Sequence, residues 1–457
     1  MMQHRSSHSC VIFADDLTGA NDTGVQFARV GLRTRVSFDA SQTAALDASD
    51  ILVIDTDSRA CNAAAAYQRV YAAAHFFAQR SIPVLYKKLD STLRGALGAE
   101  LDAVMDAYAT QLVVLSPAFP AQQRTLLQGT LHLAGAPATP SRFAADPQRA
   151  VREIHLPALL AGQTRRAVHA LGLDAISAGA SQLAARLQNL RVAEGAIVVC
   201  DAATDAHLAT IVEATITLGE GCLLAGSAGL ARPLAARIAP QIDEAHKGGR
   251  TRTSAIRGGA RSVELPDEAN EGGRTRTSAS RDDVRVLVVI GSRHPIIRAQ
   301  LDALVRQHAA HVIALDPAAT PDAAAWEAWL AHALQRIDPV APAAPIVLTT
   351  PSPSVSTNRG AALLPRLAKL ATAVMQRVRI DAVVATGGAT VRELSNAWKA
   401  AGIDLIDEIA PGIALGVLSG GQHDGLTLVT KAGGFGDAAT LAMLVQHLHA
   451  RSEASSR

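Results

Sequence analysis

Cysteine, aromatic residues, long apolar runs and net charge are all scarce in this 457-residue chain. The four cysteines form no CxxC pair and no close Cys/His spacing, which argues against a zinc site or a disulfide framework and predicts reduced thiols. Aromatic residues make up only 3% of the chain, so its cores must be built from Ala, Leu, Val and Ile. The cysteine pattern thus fits a protein with reduced thiols better than a disulfide-stabilised or zinc-binding fold.

Targeting and membrane signals are also missing from the sequence. The first apolar run, CVIFA at residues 10–14, meets two aspartates after five residues, which fits no signal peptide. The chain has no uninterrupted run of the roughly 18 apolar residues that a membrane-spanning helix needs. We therefore expect a cytoplasmic protein without a membrane partner.

The formal net charge of +2 is too small to predict a nucleic-acid partner. Residues 246–283 hold eight basic and six acidic residues, so the rest of the chain carries 35 of each. This segment contains a near-duplication, GGRTRTSAIR and GGRTRTSASR, and has almost no apolar content. Because such a composition cannot form a packed core, we interpret the segment as a flexible linker.

Apolar runs alternate with helical stretches along the rest of the chain. Continuous apolar strands separated by helices, such as residues 62–79 and 95–108, indicate mainly parallel sheets that are covered on both faces. The predicted strands of a first series are residues 9–14, 34–38, 51–54, 84–86, 112–115, 197–200 and 222–225. A second series begins at Val284 and contains VRVLVVIGS, HVIAL, PIVLT, DAVVATGG, IALGVLSGG and LTLVTKAGG.

The two series predict an α/β protein of two doubly wound domains. We expect a substrate-binding domain at residues 1–245, the linker at residues 246–283 and a nucleotide-binding domain at residues 284–457. Ligands of open α/β sheets bind beyond the carboxyl ends of the strands. The active site is therefore expected in the cleft between the domains.

The first strand runs into ADDLTGANDTG, residues 14–24, where carboxylates meet a helix N-terminus. Free N–H groups at such an N-terminus attract anionic ligands. Helix capping by Asp16 and a favourable first-turn charge at Asp22 are the structural alternative. Capping explains one acid but not three within eight residues, so we interpret Asp15, Asp16 and Asp22 as functional.

Two further polar loops follow predicted strands, IDTDSRA at residues 54–60 and YKKLDSTLRG at residues 86–95. Either loop alone is compatible with a solvated turn in which Asp90 or Ser91 caps a helix. Three neighbouring loops of the same chemistry favour a shared pocket for a polyhydroxy acid, in which cations bind its carboxylate and carboxylates bind its hydroxyls. The polar residues of these two loops are Asp57, Ser58, Arg59, Lys87, Lys88, Asp90, Ser91, Thr92 and Arg94.

Three glycine-containing turns follow strands of the second series: GSRH at residues 291–294, TGGATVREL at 386–394 and TKAGGFGDA at 430–438. Glycines let backbone N–H groups approach phosphate oxygens, and Lys431 adds a cation. One such turn is weak evidence, but three predict nucleotide binding. Residues 434–439 also satisfy G-x-G-x-x-A; no strand or ribose-binding acid follows, so we do not expect a dinucleotide site.

In this order, ADDLTGANDTG, KLDSTLRG, PAFP with Arg124, the GS turn, TGGAT and TKAGGFG resemble the motifs of the four-carbon acid sugar kinase family. The resemblance covers both predicted domains. It implies ATP-dependent phosphorylation of the terminal hydroxyl of a tetronate, with Mg²⁺ bound mainly by phosphates. ADDLTGANDTG is closer to the D-threonate and D-erythronate kinases than to the ADDFTGA of 3-oxo-tetronate kinases. Gln123 replaces the glycine that often precedes Arg124 in the family.

The residues and the resemblance together assign roles to individual positions. Those assigned to the sugar acid are Asp15, Asp16, Arg59, Lys88, Asp90, Ser91 and Arg94. Those assigned to the nucleotide are Ser292, Gly387, Gly388, Thr390, Lys431, Gly433, Gly434 and Gly436. The candidate general bases are Asp16, Asp90 and Asp437, and no protein side chain is assigned as a metal ligand.

Other functions stay open at this stage. A non-catalytic, two-lobed sugar-acid sensor would explain the polar loops but not the three glycine turns and the lysine. A dehydrogenase is disfavoured because no strand follows GFGDAA. Within the resembling family, 3-oxo-tetronate kinase activity is the alternative to D-threonate and D-erythronate kinase activity. Besides the sugar acid and ATP, the expected partner is a second copy of the same chain in a homodimer.

Overall fold

The strands and helices of the protein, seen here in a computed structural model, follow most of the predicted pattern. The structure describes residues 10–38, 49–138, 153–247, 284–316, 322–338, 340–341, 343–350 and 360–455. The predicted linker, residues 246–283, lies outside the described residues except for its first two positions. Within the described ranges, no helix combines the length and the apolar character needed to cross a membrane.

The strands are β1 (Cys10–Ala14), β2 (Thr34–Ser37), β3 (Ile51–Asp55), β4 (Val84–Lys88), β5 (Leu112–Ser116), β6 (Arg124–Leu127), β7 (Thr130–Leu133), β8 (Ala136–Pro137), β9 (Ala167–Leu171), β10 (Ala196–Cys200), β11 (Cys222–Gly226), β12 (Val286–Ile290), β13 (His311–Ala314), β14 (Ile346–Thr349), β15 (Ala382–Thr386), β16 (Gly402–Ala410), β17 (Ile413–Ser419) and β18 (Thr427–Lys431).

The helices are α1 (Leu17–Ala28), α2 (Ala63–Ala78), α3 (Leu97–Tyr108), α4 (Leu156–Ala161), α5 (Leu173–Ser177), α6 (Ala180–Asn189), α7 (Asp205–Thr217), α8 (Ala228–Lys247), α9 (Ile296–His308), α10 (Ala323–Gln335), α11 (Gly360–Arg377), α12 (Gly388–Trp398) and α13 (Thr440–Ser455). The chain divides into two compact units. Unit 1 comprises residues 1–245 and 387–432, and unit 2 comprises residues 246–386 and 433–457.

Unit 1 is built on a mainly parallel sheet. Its strand order is β18-β17-β16-β2-β3-β1-β4-β11-β5-β10-β9, and every pair from β2 to β9 is parallel. Every residue of β3, β5 and β10 is buried, because helices cover both faces of a parallel sheet. Strands β6, β7 and β8 form a separate antiparallel sheet.

Unit 2 contains a parallel sheet of strand order β13-β14-β12-β15. Strands β12 and β15 are buried along their whole length, as their continuous apolar sequences predict. The two units together confirm the predicted α/β class with mainly parallel sheets.

Residues 387–432 are the part of the chain in which the compact units and the predicted domains differ. The predicted second domain, residues 284–457, includes them, whereas the structure places them in unit 1. The physical reason is a pairing between distant segments: β16 runs antiparallel to β2, and Arg35 donates two hydrogen bonds to Asp404, at 2.5 and 2.7 Å. Strands β16, β17 and β18 form an antiparallel meander, in which a two-residue turn joins β16 to β17.

Within the described ranges, a group of aromatic rings packs where helices α2 and α3 lie against β1. The Phe13 ring lies 6.0 Å from the Phe77 ring and 6.4 Å from the Tyr108 ring, centroid to centroid. The buried residues around them are largely Leu, Val, Ile and Ala, as the composition requires. This core lies beneath the strand ends that carry the polar loops.

Gly402 tests the pairing of β16 with β2. A Cβ at this position would collide with the carbonyl oxygen of Val36, which is fixed backbone. We expect Gly402→Ala to lower the free energy of unfolding by about 1–3 kcal/mol, measured by urea denaturation. The matched control is Gly162→Ala, where the nearest atom would lie at 3.7 Å. Equal stability of the two variants would show that β16 does not pack tightly against β2.

Candidate functional site

The predicted polar loops meet at one edge of the unit 1 sheet. Strands β3, β1 and β4 are adjacent and parallel, so their carboxyl ends lie side by side. Asp55 pairs with Ala14, which pairs on its other side with Lys88. The loops that follow these strands therefore bring together the predicted residues of three separate sequence segments.

Arg59 is the centre of this cluster. Its Nε and Nη2 donate to the two carboxylate oxygens of Asp15 at 2.6 and 2.8 Å, and its Nη1 donates to Asp16 Oδ2 at 2.5 Å. Asp90 Oδ1 lies 3.9 Å from Arg59 Nη2. Burial by itself raises the pKa of Asp15, but the Arg59 and Lys88 cations outweigh burial and lower it below its ordinary value.

Asp16 also caps helix α1. Its Oδ1 accepts a hydrogen bond from the backbone N–H of Gly19 at 2.8 Å, and its backbone is extended, as at other N-caps. The capping interpretation is therefore correct for Asp16. It does not compete with a role in binding, because Oδ2 of the same carboxylate contacts Arg59.

Asp90 is held by its own loop. Arg94 Nε donates to Asp90 Oδ2 at 2.5 Å, and Thr92 Oγ1 donates to the same oxygen at 2.5 Å. Burial raises the pKa of Asp90, but Arg94 and Arg59 outweigh it, and the pKa lies well below its ordinary value. Asp90 is therefore ionised at neutral pH.

The PAFP loop also reaches this cluster. Arg124 Nη1 donates to Ser91 Oγ, which connects β6 to the loop after β4. Gln123, which stands where the resembling family often has glycine, adopts the left-handed conformation with φ of 53°. A glycine would adopt this conformation without strain, which explains the family preference at this position.

Lys88 is buried at the centre of the cluster, with 3% of its surface exposed. Among the described residues, the Lys88 ammonium group forms no hydrogen bond and no ion pair, unlike the neighbouring Lys87 and Arg59. A Cβ built on Gly19 would lie 2.7 Å from Lys88 Nζ and 2.8 Å from Asp16 Oδ1, so a larger residue here would displace one of these two side-chain ends. The ammonium group thus lies beside the first turn of α1.

Lys87 does not supply a cation to the shared pocket, contrary to the prediction. Its ammonium group is fully buried and donates to Glu100 Oε2 at 2.7 Å and to the Lys88 carbonyl at 2.9 Å. Ser58 Oγ donates to the other Glu100 oxygen at 2.8 Å. Alternation along β4 explains the difference, because successive side chains of a strand point to opposite faces. The pair supports the loops that carry Ser58 and Lys88.

Sequence reasoning missed an ion pair between Asp55 and Arg392. Arg392 on α12 contacts Asp55 Oδ2, and the Asp57 N–H donates to Asp55 Oδ1 at 2.9 Å. Burial raises the pKa of Asp55 to about 7, although Arg392 opposes the shift. The position of Asp55 at the end of β3 is a sequence feature that could have indicated a functional carboxylate. Nothing in the sequence indicates that its partner is Arg392 on α12.

Four of the predicted nucleotide residues lie in unit 1. The Gly387 N–H donates to the Lys431 carbonyl at 2.8 Å, and α12 begins at Gly388. A Cβ built on Gly388 would lie 2.7 Å from Thr18 Oγ1 and 3.5 Å from Asp16 Oδ2. Thr390 is buried in the first turn of α12. Burial lowers the pKa of Lys431 to about 8, and its ammonium group donates to the Ala432 carbonyl.

The other predicted nucleotide residues lie in unit 2. Gly433 approaches the Ser292 side chain so closely that a Cβ would overlap it, and Gly434 lies against the His294 ring. Gln300, which was not predicted, donates to the Phe435 and Asp437 carbonyls at 3.1 and 2.8 Å. This buried amide fixes the conformation of the loop at residues 433–437, which includes Gly436.

Asp437, one of the three candidate bases, takes part in a local cap at the start of α13. Its Oδ1 accepts from the Ala439 N–H and from Thr440 Oγ1, each at 3.0 Å. Its own N–H donates to Thr440 Oγ1 at 2.8 Å. These contacts account for an aspartate here by helix capping alone.

Among the residues that the structure describes, no group of three or more His, Cys, Asp and Glu side chains could hold a metal ion.

Two family descriptions match the chain. Residues 10–234 match the sugar-binding N-terminal domain, and residues 287–441 match the nucleotide-binding C-terminal domain. The chain is 33% identical to a D-threonate kinase of Bordetella bronchiseptica over 96% of its own length and 97% of that protein. It is 28% identical to a D-erythronate kinase of Heliobacterium modesticaldum, over 96% of each chain.

A solved structure shares the fold. A crystal structure of a protein from Salmonella typhimurium LT2 superposes with a TM-score of 0.76 at 24% identity, covering 95% of this chain and 98% of the other. This similarity bears on the fold alone. The sequence relatives are kinases, which favours the kinase prediction over the sensor and dehydrogenase alternatives.

The buried pair of Lys87 and Glu100 is open to a direct test. Lys87→Met leaves the Glu100 carboxylate buried without its cation, and we expect a loss of about 3–5 kcal/mol in the free energy of unfolding. Burial already raises the pKa of Glu100 above 4.5, so the loss should grow as pH rises above that value. Denaturant unfolding at acidic and neutral pH measures both effects.

The control for this test removes both charges. Lys87→Met combined with Glu100→Gln should recover part of the stability, because no unpaired charge remains. Its free energy of unfolding should also lose the pH dependence that Glu100 contributes. A double variant that is less stable than Lys87→Met at neutral pH would contradict the pairing.

Proposed function

The chain belongs to the four-carbon acid sugar kinase family, and on that premise we propose that it transfers the γ-phosphoryl group of ATP to the terminal hydroxyl of D-threonate. It is a sugar-acid kinase, as its relatives are. The observation that carries the proposal is the buried cluster around Arg59, where cations and carboxylates from three adjacent strand ends meet. D-erythronate, which differs in configuration at one carbon, is the second candidate substrate, and 3-oxo-tetronate is the third.

The carboxylate end of the substrate is assigned to Arg94 and Arg124. A guanidinium group has five N–H donors, so Arg94 can bind a second carboxylate while it holds Asp90. Ser91, on the same loop as Arg94, and Arg124, at the start of β6, add further donors. The carboxylates of Asp16 and Asp90 are ordered acceptors for the substrate hydroxyls.

The opposite end of the substrate is assigned to Lys88 and the first turn of α1. Lys88 is the cation beside Gly19, and Gly388 lies against Thr18 in the same region. Two helix N-termini and an ammonium group stabilise negative charge, which is what transfer of a phosphoryl group to a hydroxyl requires. The terminal hydroxyl of a tetronate bound in this orientation would lie next to Lys88.

ATP is assigned to the glycine turns. In unit 1 these residues are Gly387, Gly388, Thr390 and Lys431, and in unit 2 they are Ser292, Gly433, Gly434 and Gly436. Lys431 supports the assignment, because an ammonium group whose pKa is lowered by burial gains from a phosphate partner. Mg²⁺ enters as the ion that accompanies ATP, in keeping with its preference for phosphates and water.

A substrate panel tests the proposed function. ADP release is followed with ATP, Mg²⁺ and each of D-threonate, L-threonate, D-erythronate and 3-oxo-tetronate. We expect the highest kcat/KM with D-threonate, because the ordered side chains around Arg59 can form hydrogen bonds with only one configuration of the substrate hydroxyls. A higher value with another acid would reassign the substrate. No acid-dependent ADP with any of the four would reject the proposal.

Lys431→Ala tests the nucleotide assignment. Removal of the ammonium group should raise KM for ATP about tenfold or more, while KM for the sugar acid changes little. Lys369→Ala on α11 is the matched control, since Lys369 is an exposed lysine on a helix. A KM for ATP that is unchanged in Lys431→Ala would remove this residue from the phosphate site.

A further inference from the structure

Asp22 is a buried carboxylate that is assigned neither to the sugar acid nor to ATP. It lies in helix α1 with 7% of its surface exposed. Among the described residues, its Oδ1 has no hydrogen-bond partner, and its carboxylate forms no ion pair with an arginine or lysine. A buried, unpaired acceptor is costly, so its presence requires an explanation.

The other carboxylates of the cluster are already engaged. Both oxygens of Asp15 accept from Arg59. Asp16 divides its oxygens between Arg59 and the Gly19 N–H, and Asp90 accepts from Arg94 and Thr92. A carboxylate that is stabilised by cations is a weak base, because proton uptake must displace those contacts.

Helix α1 directs Asp22 towards the same region as Lys88. Gly19 and Asp22 are three residues apart and share one face of the helix, and Gly19 is the residue next to Lys88 Nζ. The charged groups that act on Asp22 are Lys88 on β4, Arg124 on β6, Asp16 at the start of α1 and Glu408 on β16. Tyr86 on β4 is a further titratable group that interacts with Asp22, and its hydroxyl donates to the Ser227 carbonyl.

We propose that Asp22 is the general base that accepts the proton of the substrate's terminal hydroxyl. This inference rests on the proposed function. As the hydroxyl oxygen forms its bond to the γ-phosphorus, the bond from that phosphorus to the β,γ-bridging oxygen breaks and ADP leaves with the electron pair. The hydroxyl proton moves to the free oxygen of Asp22 and is released to solvent after the product leaves. Lys88 stabilises the negative charge at the transferred group.

The environment of Asp22 suits this role near neutral pH. Burial raises the pKa of Asp22 to about 7, in spite of the Lys88 and Arg124 cations. A base is most effective when its pKa lies near the working pH. Because only the ionised form accepts a proton, kcat/KM should fall tenfold per pH unit below about 7.

The test replaces the carboxylate by its isosteric amide. Asp22→Asn should lower kcat with D-threonate about 10²- to 10⁴-fold and remove the acidic limb of the pH profile. Binding of D-threonate, measured by calorimetry without ATP, should change less than about threefold. Asp22→Glu retains a carboxylate and should recover part of kcat together with the acidic limb.

Asp102→Asn is the matched control, because Asp102 is an equally buried aspartate on a helix of the same unit whose carboxylate accepts from Thr164 Oγ1 at 2.6 Å. It should keep both kcat and the acidic limb. If Asp22→Asn retains the wild-type kcat or the acidic limb, Asp22 is not the general base. The proposed function would still stand in that case, because the wild type is active. A loss of D-threonate binding as large as the loss of kcat also overturns it. If the wild type gives no acid-dependent ADP, the proposed function fails and the base assignment fails with it.

Discussion

The guanidinium group of Arg59 is the contact on which the rest of the site depends. It binds Asp15 through two hydrogen bonds and Asp16 through a third, so it joins the end of β3 to the end of β1. Two adjacent aspartates at a strand end would repel each other without a cation between them. A planar fork of donors satisfies both at once, which a lysine ammonium group could not do with the same geometry.

Most of the charged side chains that the structure describes around Arg59 are held by an oppositely charged partner, and only a few lack one. Lys87 and Glu100 neutralise each other beneath the loops, and Arg94 fixes Asp90. Such pairs pre-organise a site, because bound partners need no rearrangement when a substrate arrives. Lys88 and Asp22 are not held in such pairs among the described residues. In the proposed reaction, Lys88 stabilises the transferred phosphoryl group and Asp22 accepts the proton.

The sequence was sufficient for the parts of this arrangement that depend on local pattern. Apolar runs predicted the strands, and the polar residues after β1, β3 and β4 could be assigned to one edge because parallel strands share their direction. It was insufficient where distant segments pair. Arg392 contacts Asp55 across 337 positions, and β16 joins β2, so the sequence does not predict that residues 387–432 pack within unit 1. No local pattern indicates which of several amphipathic strands will cover a sheet edge.

Asp22 shows why a stability argument and a functional argument can oppose each other at one residue. A carboxyl group whose pKa is about 7 in the folded state and 3.8 in its unperturbed state makes the protein less stable as pH rises between those values. A leucine or an asparagine at this position of α1 would avoid that loss. Strain of this kind persists where the surrounding structure compensates for it and where the reaction needs a base of that strength. The buried helix face beside Lys88 meets both conditions, since Arg59 and its aspartates already hold α1 in place.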